Sequence, residues 1–105
     1  MEEKNDILKE RFGGQIEELK KQHGTVMGYV SEDGKCALFK AASIDDISAV
    51  RFSSAGNILL FDKLLILQCW LTGDEELKTD DKYLLGLMAW GENLILKISG
   101  EIVEL

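Results

Sequence analysis

The chain has 105 residues, with twelve Lys/Arg against nineteen Asp/Glu and a net charge of −7, a size that fits one domain (1–105) around a single core. Seven basic residues meet eight acidic ones over 1–42, but five meet eleven over 43–105, and nowhere do Lys and Arg cluster as a sequence-independent nucleic-acid binder requires. The opening MEEKNDILKE sets no basic stretch ahead of an apolar one, so no secretory signal is expected and the expected location is cytoplasmic.

Ile7, Leu8, Phe12, Ile16 and Leu19 recur at helical spacing, but Gly13-Gly14 falls among them, each glycine costing about 1 kcal/mol inside a helix. This predicts a loosely attached N-terminal helix over 1–14 and a better one from Gln15 to His23. Glu17 and Glu18 lie in the first turn of the second helix, Lys20, Lys21 and His23 in its last, and Gly24 is placed to end it. His23, the single histidine, reads as a helix-end cation rather than a general base.

In TVMGYVSEDGKCALFKA, the pair Asp33-Gly34 signals a β-hairpin. A two-residue turn there would pair Glu32 with Lys35, Val30 with Ala37, Gly28 with Phe39 and Val26 with Ala41. Phe39 would then lie over Gly28, and one apolar face would need cover from helices or a third strand. Ser43 followed by Asp46 reads as the cap of a helix, SIDDISAVRFSS, with Ile44, Ile47, Val50 and Phe52 on one side.

After SSAGN, Asn57 is placed to cap ILLFDKLLILQCWLT, whose few polar positions define no clean face. A helix apolar nearly all round is buried on most sides. About fifteen residues at ~1.5 Å each are too short for a ~30 Å hydrocarbon core, so no membrane partner is expected. It is either a core helix alone or one that also faces a partner; because so small a domain has little with which to cover it, a strip including some of Leu60, Leu64, Leu67 and Leu71 is the expected interface in the second case.

The acidic stretch CWLTGDEELKTDDKYLL fails as a calcium loop, since from Asp74 the fifth, sixth and twelfth positions are Lys78, Thr79 and Leu85. It reads better as a connector in which Gly73 ends one helix, Thr79 or Asp80 caps the next, and Asp80 and Asp81 meet the positive end of the helix dipole. From Tyr83 onward the apolar residues keep helical spacing, yet LILKISGEIV also alternates like a strand, so the C-terminal segment is left as helix or third strand. The expected fold class is therefore α+β: an N-terminal helix, a β-hairpin, then a small helical bundle. Cys36 and Cys69 lie far apart and read as buried reduced thiols. Walker, dinucleotide-binding, nucleophile-elbow and HExxH signatures are missing, so neither an enzyme, a cofactor nor a metal is expected.

The order of these elements, with EELKKQHGTV, EDGKCALFKA and CWLTGDEELKTDDKYLL over about residues 15 to 98, resembles the small tail assembly chaperones of long-tailed phages and prophages, particularly those of gut anaerobes. The chain departs from that pattern in having no proline after the second strand and no lysine-rich C-terminus. The resemblance implies a non-enzymatic, often oligomeric protein of the bacterial host cytoplasm that keeps a tape-measure protein soluble and recruits tail-tube subunits. Carried over by position, Cys69, Trp70, Gly73, Asp74, Glu75, Asp80 and Asp81 match the shared block and are the residues the resemblance offers for partner binding. A competing reading from the charge alone is a small acidic inhibitor, of immunity type, that blocks a basic site.

Overall fold

A computed structural model describes residues 2–105. Helices α1 (Glu2–Phe12) and α2 (Gly14–His23) lead into strands β1 (Val26–Val30) and β2 (Cys36–Lys40). Helices α3 (Ile44–Ser54) and α4 (Ile58–Cys69), strand β3 (Trp70–Gly73), the short α5 (Glu76–Thr79) and α6 (Asp81–Trp90) follow, and a 3-10 turn over Gly91–Leu94 closes the body. The fold class is α+β, as the sequence predicts.

The sheet has the order β1-β2-β3 and is antiparallel throughout, which makes β2 the central strand. Met27, Tyr29, Ala37, Phe39 and Trp70 turn to the face covered by α3, α4 and α6. Val26, Val30, Cys36, Leu38 and Leu71 turn to the other, under Leu8, Phe12, Ile16 and Leu19 of α1 and α2. Helices thus cover the sheet on both sides, and Cys36, Ala37 and Phe39 are wholly buried. A strand buried on both faces reads as a continuous apolar run rather than an alternation; CALF is such a run.

Double-sided burial corrects the expected register. Val30 pairs with Cys36, Gly28 with Leu38 and Met27 with Phe39, one residue away from the two-residue turn. The loop is Glu32-Asp33-Gly34: the Ser31 N–H donates to Lys35 O at 2.8 Å and the Gly34 N–H donates to Ser31 O at 3.0 Å. The Ser31 hydroxyl donates to Asp33 at 2.5 Å and accepts from the Lys35 N–H at 2.9 Å. Gly34 takes φ +91° while Asp33 stays at negative φ. This is the three-residue alternative, a turn followed by one left-handed residue. A slip of one residue exchanges the two faces, so Gly28 lies across from Leu38 and not beneath Phe39, and a Cβ there would meet the Leu8 side chain.

The expected helix over 58–72 is also shorter. It stops at Cys69, and Trp70, Thr72 and Gly73 pair with Phe39, Leu38 and Ala37 of β2 as the third strand, with a bulge between Leu38 and Phe39 that leaves Leu71 unpaired. Gly73 ends this strand rather than a helix. At φ +151° its position would place a Cβ 2.5 Å from the Cα of Ala37, an approach open only to glycine. Residues 95–105 form neither helix nor strand: Leu94 is buried, with its carbonyl accepting from the Ala42 N–H at 2.8 Å, and the chain beyond Ile95 is exposed.

The punctuation falls largely where the sequence places it. Gly13 breaks α1 from α2 at φ +43°, and Gly24 ends α2. Ser43 and Asp46 form a reciprocal capping box on α3, and Asn57 and Asp80 cap α4 and α6. Cys36 and Cys69 are separate buried thiols, and burial pushes that of Cys69 up to about 11.

Candidate protein-interaction surface

Four of the five carboxylates of the acidic block, Asp74, Glu75, Glu76 and Asp80, are engaged by their own chain. The carboxylate of Asp74 takes both arms of the Arg11 guanidinium at 2.5 and 2.7 Å and the Cys36 N–H at 2.9 Å. The hydrogen bonds from Arg11 hold its carboxyl down at about 2. This fork joins α1 to the end of β3, across sixty-three residues of sequence. Glu76 pairs with Lys35 at 3.2 Å, and Glu75 with Lys78 at 2.9 Å. The Lys78 ammonium also stands 4.5 Å over the Trp70 ring. Asp80 accepts from the Lys82 N–H, and Asp33 accepts from the Tyr83 hydroxyl, a bond that pushes the phenol up to about 12.

Trp70 meets Phe39 edge-on at 5.4 Å, Phe39 in turn lies 5.8 Å from Trp90, and Cys69 is buried beside them. Leu71 lies on the opposite face under α1 and α2, so it cannot share a strip with Leu60, Leu64 and Leu67. Once the chain turns into β3, helical spacing no longer relates them. The residues carried over from the shared block therefore divide among core, sheet edge and helix caps and do not converge on one surface.

Apart from Ile7 and the C-terminal segment, the apolar side chains that remain open gather around α3, α4 and α6. A groove of about 390 Å³ runs between the first turns of α4 and the outer side of α6, floored by Leu59, Leu60, Leu84, Leu85 and Met88. Lys63 and Asp81 stand on its rim. Asn57 joins it to a second depression of about 340 Å³ under Ile58 and Phe61, and Arg51 joins that one to a third of about 270 Å³ beside Ile44 and Ile47. Phe52, Ile44 and Ile58 are 89%, 84% and 80% exposed. Leu64 and Leu67 line a separate shallow hollow with Ala49 and Val50. Of the residues expected at an interface, Leu60 and Asp81 line the groove.

Asp46 holds this corner in shape. Its carboxylate, 7% exposed, accepts from Lys40 at 2.7 Å, the Ser43 N–H at 2.9 Å and Gln68 at 3.0 Å, tying β2, the α3 cap and α4 together. Burial alone would raise this carboxyl, but the bonds from Lys40, Ser43 and Gln68 outweigh it and hold it well below the usual carboxylate range.

Leu59, Leu85, Met88, Ile58 and Phe52 were not anticipated at an interface, although the sequence carries a signal for several. Consecutive helical residues lie about 100° apart, so a helix as apolar as α4 carries more apolar residues than one core-facing stripe can take, and some must open outward. Phe52 lies about 200° around α3 from buried Val50 on the same arithmetic. Among the described residues no helix is long and apolar enough to cross a membrane. Comparison of the chain with family models, curated proteins and solved structures finds no match.

Proposed function

We propose that this chain is a non-enzymatic, protein-binding assembly chaperone of the phage tail kind, acting on an apolar segment of a tape-measure or tail-tube type protein in the host cytoplasm and working as a homo-oligomer. The observation that carries the reading is the cluster of open apolar residues around the α4–α6 groove. A domain of this size rarely leaves so continuous an apolar surface uncovered unless something binds it, and a binder of aggregation-prone chains needs such a surface. The groove adds a rim carrying one charge of each sign, which suits an amphipathic segment laid between two helices. The resemblance of EELKKQHGTV, EDGKCALFKA and CWLTGDEELKTDDKYLL to tail assembly chaperones supplies the class of partner.

The acidic-inhibitor reading draws less support, because Asp46, Asp74, Glu75, Glu76 and Asp80 are engaged by the chain's own cations and amides. Co-expression with a tape-measure-type protein, followed by capture through a tag on this chain, tests the proposal. The wild type should retain the partner in solution, and Leu59→Asp/Leu85→Asp should lose it while keeping an unchanged circular dichroism spectrum. Equal capture by both would remove the groove from the reading.

A further inference from the structure

The C-terminal arm, residues 95–105, presents apolar side chains that its own chain leaves bare: Ile98, Ile102 and Leu105 are essentially fully exposed, and Leu96 and Val103 are more than half so. As a helix, the arm would place Ile98, Ile102 and Leu105 at positions i, i+4 and i+7 on one side, with Leu96 and Val103 turned away from them. Lys97, Glu101 and Glu104 share the remaining side, also at i, i+4 and i+7. Gly100 weakens such a helix in isolation, so that it needs a surface to pack on.

We propose that this arm folds as an amphipathic helix in the α4–α6 groove of a second copy, the two copies exchanging arms about a two-fold axis. The inference rests on the groove being a binding surface, as in the function proposed above, and names its occupant when no partner is present. Chemistry matches on both sides, since Leu59, Leu60, Leu84, Leu85 and Met88 offer an apolar floor, and Lys63 and Asp81 on the rim oppose the carboxylates and the Lys97 ammonium of the arm.

The arm's attachment favours a second copy over its own. Leu94 is buried and its carbonyl is bonded to Ala42, while Ile95 packs against the core, so the chain is pinned up to the residue where the arm begins. Two antiparallel helices need a connection of roughly 2–5 residues. A helix turned back onto its own α6 would spend the residues just after Ile95 on that connection and lose Ile98 from its apolar side. The radius of gyration, 15.2 Å against roughly 13 Å for a compact chain of this length, agrees with an extended segment leaving the body. With three bare apolar side chains per arm on the groove side, at on the order of 100 Å² each, two exchanged arms and their grooves reach roughly 1,200 Å², the lower bound of a specific interface. One arm alone falls short of it.

The test uses full-length chains. The wild type should scatter light as a dimer at tens of micromolar, and Ile98→Asp/Ile102→Asp should be a folded monomer with dimerisation weakened roughly a hundredfold or more. A mixture of differently tagged Leu85→Cys and Ile102→Cys chains should form a disulfide between unlike chains under mild oxidation. Cys36 and Cys69, both wholly buried, do not compete. A monomeric wild type, a dimer that survives the aspartates, a mixture that does not cross-link, or a disulfide closed within one chain carrying both cysteines would each overturn the exchange. Partner capture separates this inference from the one before it. If Leu59→Asp/Leu85→Asp abolishes capture while the wild type is monomeric, the groove remains a partner site and only the arm's role falls.

Discussion

Replacing Asp46 by Ala removes the acceptor shared by Lys40, the Ser43 amide and Gln68, and with it half of the α3 capping box. A hydrogen bond to a charged group contributes about 1.5–3 kcal/mol and a lost cap costs about 1 kcal/mol, while breaking a buried ion pair costs about 3–5 kcal/mol. The Lys40 side chain keeps 26% exposure and so recovers part of its hydration, which places the whole effect near the lower end, about 3 kcal/mol. For a chain of this length that corresponds to a fall in melting temperature of roughly 12–24 °C. Asp46→Asn keeps a neutral acceptor and should cost about 1–2 kcal/mol. The folded-state value of Asp46 lies below the unfolded one near 3.9, so its stabilisation is complete above the unfolded value and is lost as pH falls toward the folded one. Wild-type stability should therefore fall below about pH 4 more steeply than that of Asp46→Asn. Calorimetry from pH 3 to 7, with a double-mutant cycle against Gln68→Ala, measures both effects. An Asp46→Ala protein melting within about 4 °C of wild type, or a cycle with no coupling, would refute the claim that this carboxylate joins α3 to α4.

Gly73→Ala should be among the most damaging single-methyl additions in the chain, because its Cβ would press on the backbone of Ala37 and the Cys36 carbonyl at 2.5 Å and would hold a non-glycine residue at φ +151°. Overpacking and backbone strain of about 1–3 kcal/mol each should nearly halve a typical domain stability, read as the urea midpoint. Millimolar Ca²⁺ or Mg²⁺ should leave the melting temperature within about 1 °C, since Asp74, Glu75, Glu76 and Asp80 are held by Arg11, Lys78, Lys35 and an N-terminal amide of α6. A saturated site would instead add about 2.7 kcal/mol at a hundredfold excess over its dissociation constant.

By itself the sequence determined the chain's local punctuation. The break at Gly13, the stop at Gly24, the capping box of Ser43 and Asp46, and the caps at Asn57 and Asp80 each depend on backbone chemistry within a few residues. The hairpin was legible for the same reason, but its register was not. One buried face is enough to fix a register by alternation, whereas β2 is covered on both, and the Ser31 hydroxyl selects the longer loop. The fate of Trp70, Leu71 and Thr72 was likewise beyond local reading. Nothing in LQCWLT stops a helix before Gly73, and only pairing with β2, more than thirty residues upstream, together with the space that Gly73 leaves for Ala37, turns those residues into a strand. The candidate surface divides in the same way: the nearly unbroken apolar run of α4 declares that some apolar side chains must face outward. That they meet along one groove depends on where α4 lies beside α6, a long-range packing outcome that no local spacing encodes.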